Sequence, residues 1–265
     1  MSNSPYFSIL LCVYNGCDYI ESCLQSIIDQ GFDDWELILV DDGSTDNLTE
    51  VLAKSCYQDS RIKYFYKSNS GLTDSLNFGL EKCTGEWIVR QDVDDISLPN
   101  RLMSIKNASL KYDCDIIYSQ AEVYDFRRNQ VKITPRKAFQ YAFDLSTFKF
   151  GNYIAHGTIA VKSPSLKKIR YNTDYEVAQD FGLYVDLASI GLKGHMIVEP
   201  LYRLNKVPDS ISAKKSQLQI DTVSSIIKKN FTNDNYFILK RKSLAKLVLL
   251  VQRELHLIRC RCKII

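Results

Sequence analysis

Short apolar runs and longer amphipathic stretches take turns along the first ninety residues. Phe7–Val13 (FSILLCV), Trp35–Val40 (WELILV) and Ile62–Tyr66 are rich in branched and aromatic residues, the pattern of strands buried on both faces. The segment from about Asp18 to Asp29 repeats apolar pairs at helical spacing (Tyr19/Ile20, Cys23/Leu24, Ile27/Ile28), and Gly31 stops it. Further helices are expected from about Leu48 to Cys56 and from Gly71 to Lys82, and a fourth strand over Glu86–Val89. The resulting βαβαβαβ order predicts an α/β fold whose central sheet is mostly parallel, Rossmann-like and flanked by helices. In such sheets ligands gather at the carboxyl ends of the strands.

Polar residues fall where that rule wants them. Tyr14-Asn15 follows the first strand, Asp41-Asp42-Gly43-Ser44 the second, Asn69-Ser70-Gly71 the third, and Asp92-Val93-Asp94-Asp95 the fourth. Any one of these could be an ordinary capped turn, but four on one edge outline an elongated polar crevice. Three carboxylates within four residues repel one another unless solvent or a cation relieves them. Oxygen-only neighbours suit a hard ion, Mg²⁺ or Mn²⁺, with positions left open for phosphate oxygens. A calcium loop of EF-hand type is excluded, because Ser97 stands at its turn glycine and Met103 at its closing glutamate. The plainer reading is a charged turn with Ser97 capping a helix that begins at Pro99. No GxGxxG or GxxxxGK run occurs, so a dinucleotide or P-loop site is not expected.

Composition adds compartment and charge. With 45% hydrophobic and 25% charged residues among 265, the chain can bury a large core. The eight cysteines are scattered without zinc-site spacing and read as reduced packing residues. The opening residues carry no leader pattern, and no run of about 18 apolar residues occurs, so a cytoplasmic protein is expected. The net charge of +3 hides an asymmetry. Residues 211–265 hold 12 Lys/Arg against 3 Asp/Glu, leaving 22 against 28 in the body.

Taken together, Val13-Tyr14-Asn15, Asp41 to Asp46 (DDGSTD), Gly71-Leu72 through Leu76-Asn77, Thr84 to Ile88 (TGEWI) and Asp92 to Asp95 (DVDD) resemble the family 2 glycosyltransferases of GT-A fold. The likeness covers about residues 6–210, with the motifs in family order. It implies a nucleoside-diphosphate sugar donor, a divalent cation (Mn²⁺ or Mg²⁺) and transfer with inversion at the anomeric carbon. Carried onto this chain, it places Tyr14 beside the base, Asp42 at the uracil edge, Asp92 near the ribose and Asp94 on the metal, with Asp95 behind them. Asp180, in Gln179-Asp180-Phe181, matches the family's general base, and Gln179 stands where a glutamate is usual. His156 matches a position on the acceptor side, although a lone histidine is also a common structural residue. Leu201-Tyr202-Arg203 resembles the segment that closes over the diphosphate, which makes Arg203 a phosphate clamp. Asn205 replaces a frequent histidine, so no second protein ligand for the metal is expected there.

The expected organisation is a catalytic domain over 1–212 and a basic helical tail over 213–265. Between the two catalytic halves, Ile116–Tyr124 reads as one or two strands and Gln130–Phe139 as a basic loop. The tail carries helical patterns at about Ser216–Lys229 and Tyr236–Ile258, and the second has an apolar stripe flanked by cations. It suits either an anionic membrane surface or packing on the domain. No nucleic-acid recognition motif accompanies the basic residues. The expected activity is a hexosyl transfer from a nucleotide sugar, UDP-linked in the first instance, to a glycan or lipid-linked glycan in surface polysaccharide synthesis, by an enzyme peripheral at the inner face of the membrane. A sugar-nucleotide pyrophosphorylase would need a glycine- and lysine-rich opening loop, absent from residues 1–20. A non-catalytic sugar-nucleotide-binding module would keep the sheet and lose the carboxylates.

Overall fold

The computed structural model describes residues 4–54, 59–135, 143–206 and 215–231. Strands β1 (Phe7–Val13), β2 (Trp35–Asp41), β3 (Ile62–Tyr66) and β4 (Trp87–Asp92) alternate with helices α1 (Cys17–Ile28), α2 (Leu48–Leu52) and α3 (Leu72–Lys82). All of β1 and β2 is buried, as their unbroken apolar runs require. Successive side chains go to opposite faces. Ile9, Leu11, Val13, Leu37, Leu39, Trp87 and Val89 join one core with the apolar side of α1. Leu10, Cys12, Ile38, Val40 and Ile88 join the other, beneath α3.

After β4 the chain leaves the repeating pattern. A two-residue strand, β5 (Ile96–Ser97), precedes α4 (Arg101–Lys111), the hairpin β6 (Ile116–Asp125) and β7 (Gln130–Thr134), and a short helix α5 (Leu145–Phe148). A 3-10 turn at His156–Thr158 leads into β8 (Ala160–Lys162), followed by α6 (Ser163–Ile169), α7 (Gln179–Ser189), β9 (Gly194–Asn205) and α8 (Ser216–Phe231). The sheet order is β3-β2-β1-β4-β8-β6-β9-β5, with β7 on the free side of β6. Pairing is parallel from β3 through β1 to β4 and between β6 and β9. The pairs of β8, β5 and β7 are antiparallel. The α/β fold is the expected one, with its parallel part concentrated in the first half of the chain.

Three local expectations are corrected. The fourth strand runs on to Asp92, because Arg90 and Gln91 find buried partners and extend the pairing with β1. The helix after the acidic turn begins at Arg101 rather than Pro99. Its N-cap is Asn100, in left-handed conformation, and Ser97 instead donates its hydroxyl to Gln91 Oε1 at 2.8 Å. The basic loop opens with a strand: Val131 and Ile133 sit opposite Tyr124 and Glu122.

Helix α8 buries Val223, Ile226, Ile227 and Phe231 in the core that also holds α7. The first of the two tail helices therefore packs on the body of the fold. The second, over 236–258, lies outside the described residues. No helix among the described residues is long and apolar enough to cross a membrane.

Candidate active site

The parallel strands deliver their loops to one edge, and the loops are tied to each other. Asn15, at φ 52°, donates its backbone N–H to Ser44 Oγ at 3.0 Å, and its side-chain oxygen accepts from Thr45 N at 2.8 Å. Asp46 accepts the N–H of Cys17 at 2.8 Å and so serves the N-terminus of α1 from the neighbouring loop. Tyr14 is left 52% exposed at the mouth.

Asp41 and Asp42 have spent their carboxylates. Asp41 accepts Ser44 N at 2.8 Å and the Tyr64 hydroxyl at 2.7 Å. Asp42 accepts Lys67 Nζ at 2.5 Å, Ser70 N at 2.9 Å and Gly71 N at 2.8 Å. Gly43 makes the turn possible: its φ is 76°, and a Cβ there would press on the backbone of Asn69. Asp42 thus closes the Lys67–Gly71 loop over this edge of the sheet.

The acidic turn at the end of β4 is built the opposite way, with its backbone gripped from behind. The hydroxyl of Tyr202 accepts Asp92 N–H at 2.9 Å. Asn205 donates Nδ2 to the carbonyl of Asp94 at 2.7 Å and its backbone N–H to Asp95 Oδ1 at 2.9 Å. Gln91 Nε2 donates to the carbonyl of Asp95 at 3.1 Å. Asp95 is buried, and burial, followed by the charges of Asp94 and Asp92, raises its carboxyl well above the usual range. The Asn205 N–H and the Tyr202 hydroxyl oppose that rise. Asp95 is therefore a support of the turn.

Two buried arginines underlie this turn, and sequence reasoning passed over both. Arg90 donates to the carbonyl of Leu10 at 3.0 Å and to Asp92 Oδ1 at 2.6 Å. Burial is the largest influence and works against its charge, but Asp92 together with Cys12, Tyr171 and Tyr202 more than offsets it and raises the guanidinium pKa. Arg101 donates to Gln91 Oε1, Ser97 Oγ and the carbonyls of Arg90 and Gly157 at 2.5–2.9 Å, and its guanidinium lies 4.7 Å from the Tyr202 ring centre. Gly157 leaves room for that ring, because a Cβ would overlap it. The signal available in the sequence was a charged residue inside an apolar strand, Trp87-Ile88-Val89-Arg90.

On the opposite side stands Asp180, in the first turn of α7, entered through Ala178 in left-handed conformation. Its Oδ2 accepts Asn152 Nδ2 at 2.8 Å, while the other end of that amide accepts Ile154 N. Burial pushes the Asp180 carboxyl above its ordinary range; hydrogen bonds from Phe181 N and Asn152 oppose this, and the charge of Asp92 adds to it. The loop before α7 is held by α3: Asn77 exchanges hydrogen bonds with Tyr171 at 2.8 and 2.9 Å, and Thr73 donates to the carbonyl of Tyr175 at 3.1 Å. Helix α3 thereby braces the loop that leads into Asp180.

His156 and Arg203 are more committed than their sequence reading implied. His156 Nε2 lies 2.8 Å from the Tyr171 hydroxyl, and burial together with Arg90 lowers its pKa to about 3. It is a neutral imidazole at working pH. Arg203 donates to Glu122 Oε2 at 2.9 Å, with its guanidinium 5.8 Å from the Tyr124 ring centre. The charge of Asp92 thus acts on both Asp180 and His156, and Arg203 sits on the outer strands. Buried Cys12 and Cys23 have raised thiol pKa values and are packing residues, in line with reduced, inert cysteines.

A hard cation fits this donor set in one form only. The described residues hold no group of three or more His, Cys, Asp or Glu side chains disposed around a common point. Of the turn's three carboxylates, Asp92 is engaged by Arg90, Asp95 is buried and Asp94 is half-buried. That suits an ion taking one or two carboxylate oxygens from the protein and the rest from substrate phosphates and water.

Residues 8–170 match the family model described as glycosyl transferase family 2. An uncharacterized glycosyltransferase of Haemophilus influenzae is 32% identical over 187 residues, 69% of this chain and 72% of its own length. Among solved structures, S. aureus TarS 1-349 in complex with UDP-GlcNAc superposes with TM-score 0.69 at 17% identity, covering 94% of this chain and 72% of that one. The mannosyltransferase PcManGT from Pyrobaculum calidifontis, in complex with GDP-Man and Mn²⁺, gives TM-score 0.64 at 17% identity over 97% and 71% of the two chains. The architecture is that of GT-A glycosyltransferases. The chain belongs to glycosyl transferase family 2.

Proposed function

We propose that the protein transfers a hexosyl group, with inversion, from a nucleoside-diphosphate sugar to a hydroxyl of a glycan or lipid-linked glycan. The observation that carries this reading is the facing pair of sites: a braced acidic turn at Asp92–Asp95 and a pKa-raised, hydrogen-bonded carboxyl at Asp180. The donor lies along the carboxyl edge of the parallel strands, with its base against Tyr14 and the loop closed by Asp42, and its ribose near Asp92. UDP is favoured as the nucleotide, by the resemblance of the DDGS turn and by the UDP-GlcNAc bound to the TarS neighbour.

Asp94 holds the divalent cation, Mn²⁺ or Mg²⁺, whose contribution is to stabilise negative charge on the departing diphosphate. Mn²⁺ accompanies GDP-Man in the PcManGT neighbour. Asp180 takes the acceptor hydroxyl's proton as that oxygen bonds to the anomeric carbon, and the glycosidic electron pair leaves with the diphosphate. A raised pKa strengthens a carboxylate as a base. The neutral, low-pKa His156 is a poor proton acceptor, and it shapes the acceptor side through Tyr171. Arg203 reaches the diphosphate by exchanging its Glu122 partner. The place of action is the inner face of the membrane, in surface polysaccharide synthesis.

A panel of UDP-, GDP- and dTDP-sugars with Mn²⁺, read by thermal shift and by the anomeric configuration of the product, tests the reading. A shift with one nucleotide family and an inverted product are expected. Retained configuration would overturn the single-displacement assignment, and nucleotidyl transfer from a nucleoside triphosphate would favour the pyrophosphorylase class.

A further inference from the structure

Among the described residues, one side chain hydrogen-bonds the Asp180 carboxyl, and it comes from a different part of the chain. Helix α5 ends in a tight turn, with Phe150 N donating to Thr147 O at 3.2 Å and Gly151 N to Phe148 O at 3.0 Å. Gly151 then takes φ 114°, a conformation open to glycine, and leads the chain to Asn152. Packing brings that residue to Asp180. The buried Phe148 ring stacks on Tyr153 at 5.0 Å and meets Phe181 edge-on at 6.2 Å, so the residues that follow Asn152 and Asp180 share one aromatic contact.

The Asn152 amide is used at both ends. Ile154 N can only donate, which assigns the Asn152 oxygen to it at 3.0 Å and aims Nδ2 at Asp180 Oδ2, 2.8 Å away. The turn onto Ile154 needs an oxygen alone, and aspartate or serine also supplies one. What asparagine adds is the NH2 group, and that group goes to Asp180. Tyr184, one turn along α7, has a buried hydroxyl with no hydrogen-bond partner, so it does not share the task.

We propose that Asn152 is a positioning residue for the transfer: its fixed N–H holds Oδ2 and the plane of the Asp180 carboxyl, leaving Oδ1 to receive the acceptor hydroxyl's proton. As that proton arrives, the acceptor oxygen bonds to the anomeric carbon and the glycosidic electron pair leaves with the nucleoside diphosphate. Asn152 has this role only where Asp180 is the base, as proposed above. A carboxyl tied to a rigid donor loses its rotation, and losing such alignment costs about ten- to a hundred-fold in rate. The same N–H also favours the ionised form. Burial is the largest influence on Asp180 and raises it, Asp92 at the end of β4 adds to the rise, and Phe181 N and Asn152 oppose it. The Tyr171 and Tyr184 hydroxyls, which feel the Asp180 charge, are raised by burial and stay neutral.

The test compares Asn152→Ala, Asn152→Asp, Asp180→Asn and the Asn152→Ala/Asp180→Asn pair with wild type in the full chain. Turnover against pH is read as release of nucleoside diphosphate from the sugar nucleotide that the panel above selects. Asn152→Asp keeps an oxygen for Ile154 N, so it remains informative if Asn152→Ala folds poorly. Both Asn152 variants are expected to keep the donor-induced thermal shift. Turnover at pH 7 should fall about ten- to a hundred-fold in Asn152→Ala. The acid limb should move to higher pH in both, and further in Asn152→Asp, which sets a like charge beside the base. With Asp180→Asn already present, Asn152→Ala should cost less than about two-fold more, because no base is left to aim. Wild-type turnover and acid limb in the Asn152 variants, with Asp180→Asn slow, would overturn the role of Asn152 and leave the base in place. Losses that multiply in the pair, with the acid limb unmoved, would make Asn152 a support of its turn alone. Near-normal turnover in Asp180→Asn would remove the base, and the role of Asn152 with it.

Discussion

The two aspartate turns of this protein look alike in sequence and are put together in opposite ways. In Asp41-Asp42-Gly43-Ser44 the carboxylates hold other residues' backbone: Ser44 N, Ser70 N and Gly71 N all donate to them. In Asp92–Asp95 other residues hold the backbone: the Tyr202 hydroxyl, the Asn205 amide and the Gln91 amide bind its N–H and C=O groups. The first turn is a clasp made of carboxylates. The second is a platform held by its backbone, with the Asp92 carboxylate paired to Arg90 and that of Asp95 buried. An acidic motif therefore signals ligand chemistry only once the backbone around it has been satisfied by something else.

The largest effect that sharpens this contrast is expected at Asp94. Asp94→Asn should lower metal-dependent donor affinity by about a hundred-fold or more, with thermal stability near wild type, if this half-buried loop carboxylate holds the cation as proposed. Calorimetric titration of nucleoside diphosphate with and without Mn²⁺ measures it. Unchanged affinity would remove Asp94 from the metal.

Next in size is Gly157→Ala. Its methyl group displaces the Tyr202 ring, which supports Asp92, Asp95 and Arg101 together. A loss of about 2–4 kcal/mol in unfolding free energy is expected, and a Tyr202→Phe variant, which keeps the ring and removes the hydroxyl, should lose less. Equal losses in the two would show that the hydroxyl, and not the ring, carries the support.

Asp42→Ala probes the clasp. It leaves Lys67, Ser70 N and Gly71 N without their acceptor, so denaturant unfolding should show a loss of about 1–3 kcal/mol. Donor affinity should fall with it. Lost affinity at full stability would mean that Asp42 touches the donor and is not chiefly a clasp.

The smallest effect is on acid stability. His156 has a folded pKa near 3 against an ordinary value of 6.5, so the unfolded chain binds the extra proton first as pH falls. Its contribution is complete above 6.5 and is lost as pH drops towards 3. Asp180, with a raised folded pKa, acts oppositely, favouring the fold below the ordinary carboxylate pKa and less so as pH rises through its folded value. Unfolding midpoints of His156→Gln and wild type between pH 7 and 4 should converge on acidification.

Much of this was legible beforehand, for reasons that can be named. Buried parallel strands have no polar face to hide, so β1 and β2 announced themselves as unbroken apolar runs, and their loops had to share an edge. The Asp92, Asp94 and Asp95 cluster stood out because three carboxylates crowd into four residues, and Asp180 was singled out by the family resemblance. What stayed hidden was long-range pairing: the bonds joining Asp92 to Tyr202 and Asp94 to Asn205 span 110 and 111 positions. Arg90 and Arg101 escaped notice because a buried guanidinium cannot be told from a surface one by its letter. The β7 strand was missed although Val131-Lys132-Ile133 alternates, because Arg127, Arg128, Arg136 and Lys137 around it made the whole stretch read as one basic loop.

The central claim is that Asp180 is the base across from the braced turn, and turnover against pH for Asp180→Asn, with donor affinity measured separately, tests it most directly. The amide can keep the Asn152 hydrogen bond through its oxygen and removes a charge that burial disfavours, so the variant should fold at least as stably as wild type at neutral pH. Donor affinity should stay within a few-fold while turnover falls by roughly a hundred- to ten-thousand-fold, the usual size of a general-base contribution. A Gln179→Glu variant should move the acid limb of the pH–rate profile upward by adding a negative charge beside the base, with donor affinity unchanged. Near-normal turnover in Asp180→Asn would contradict the account and leave this carboxyl a structural group at the start of α7.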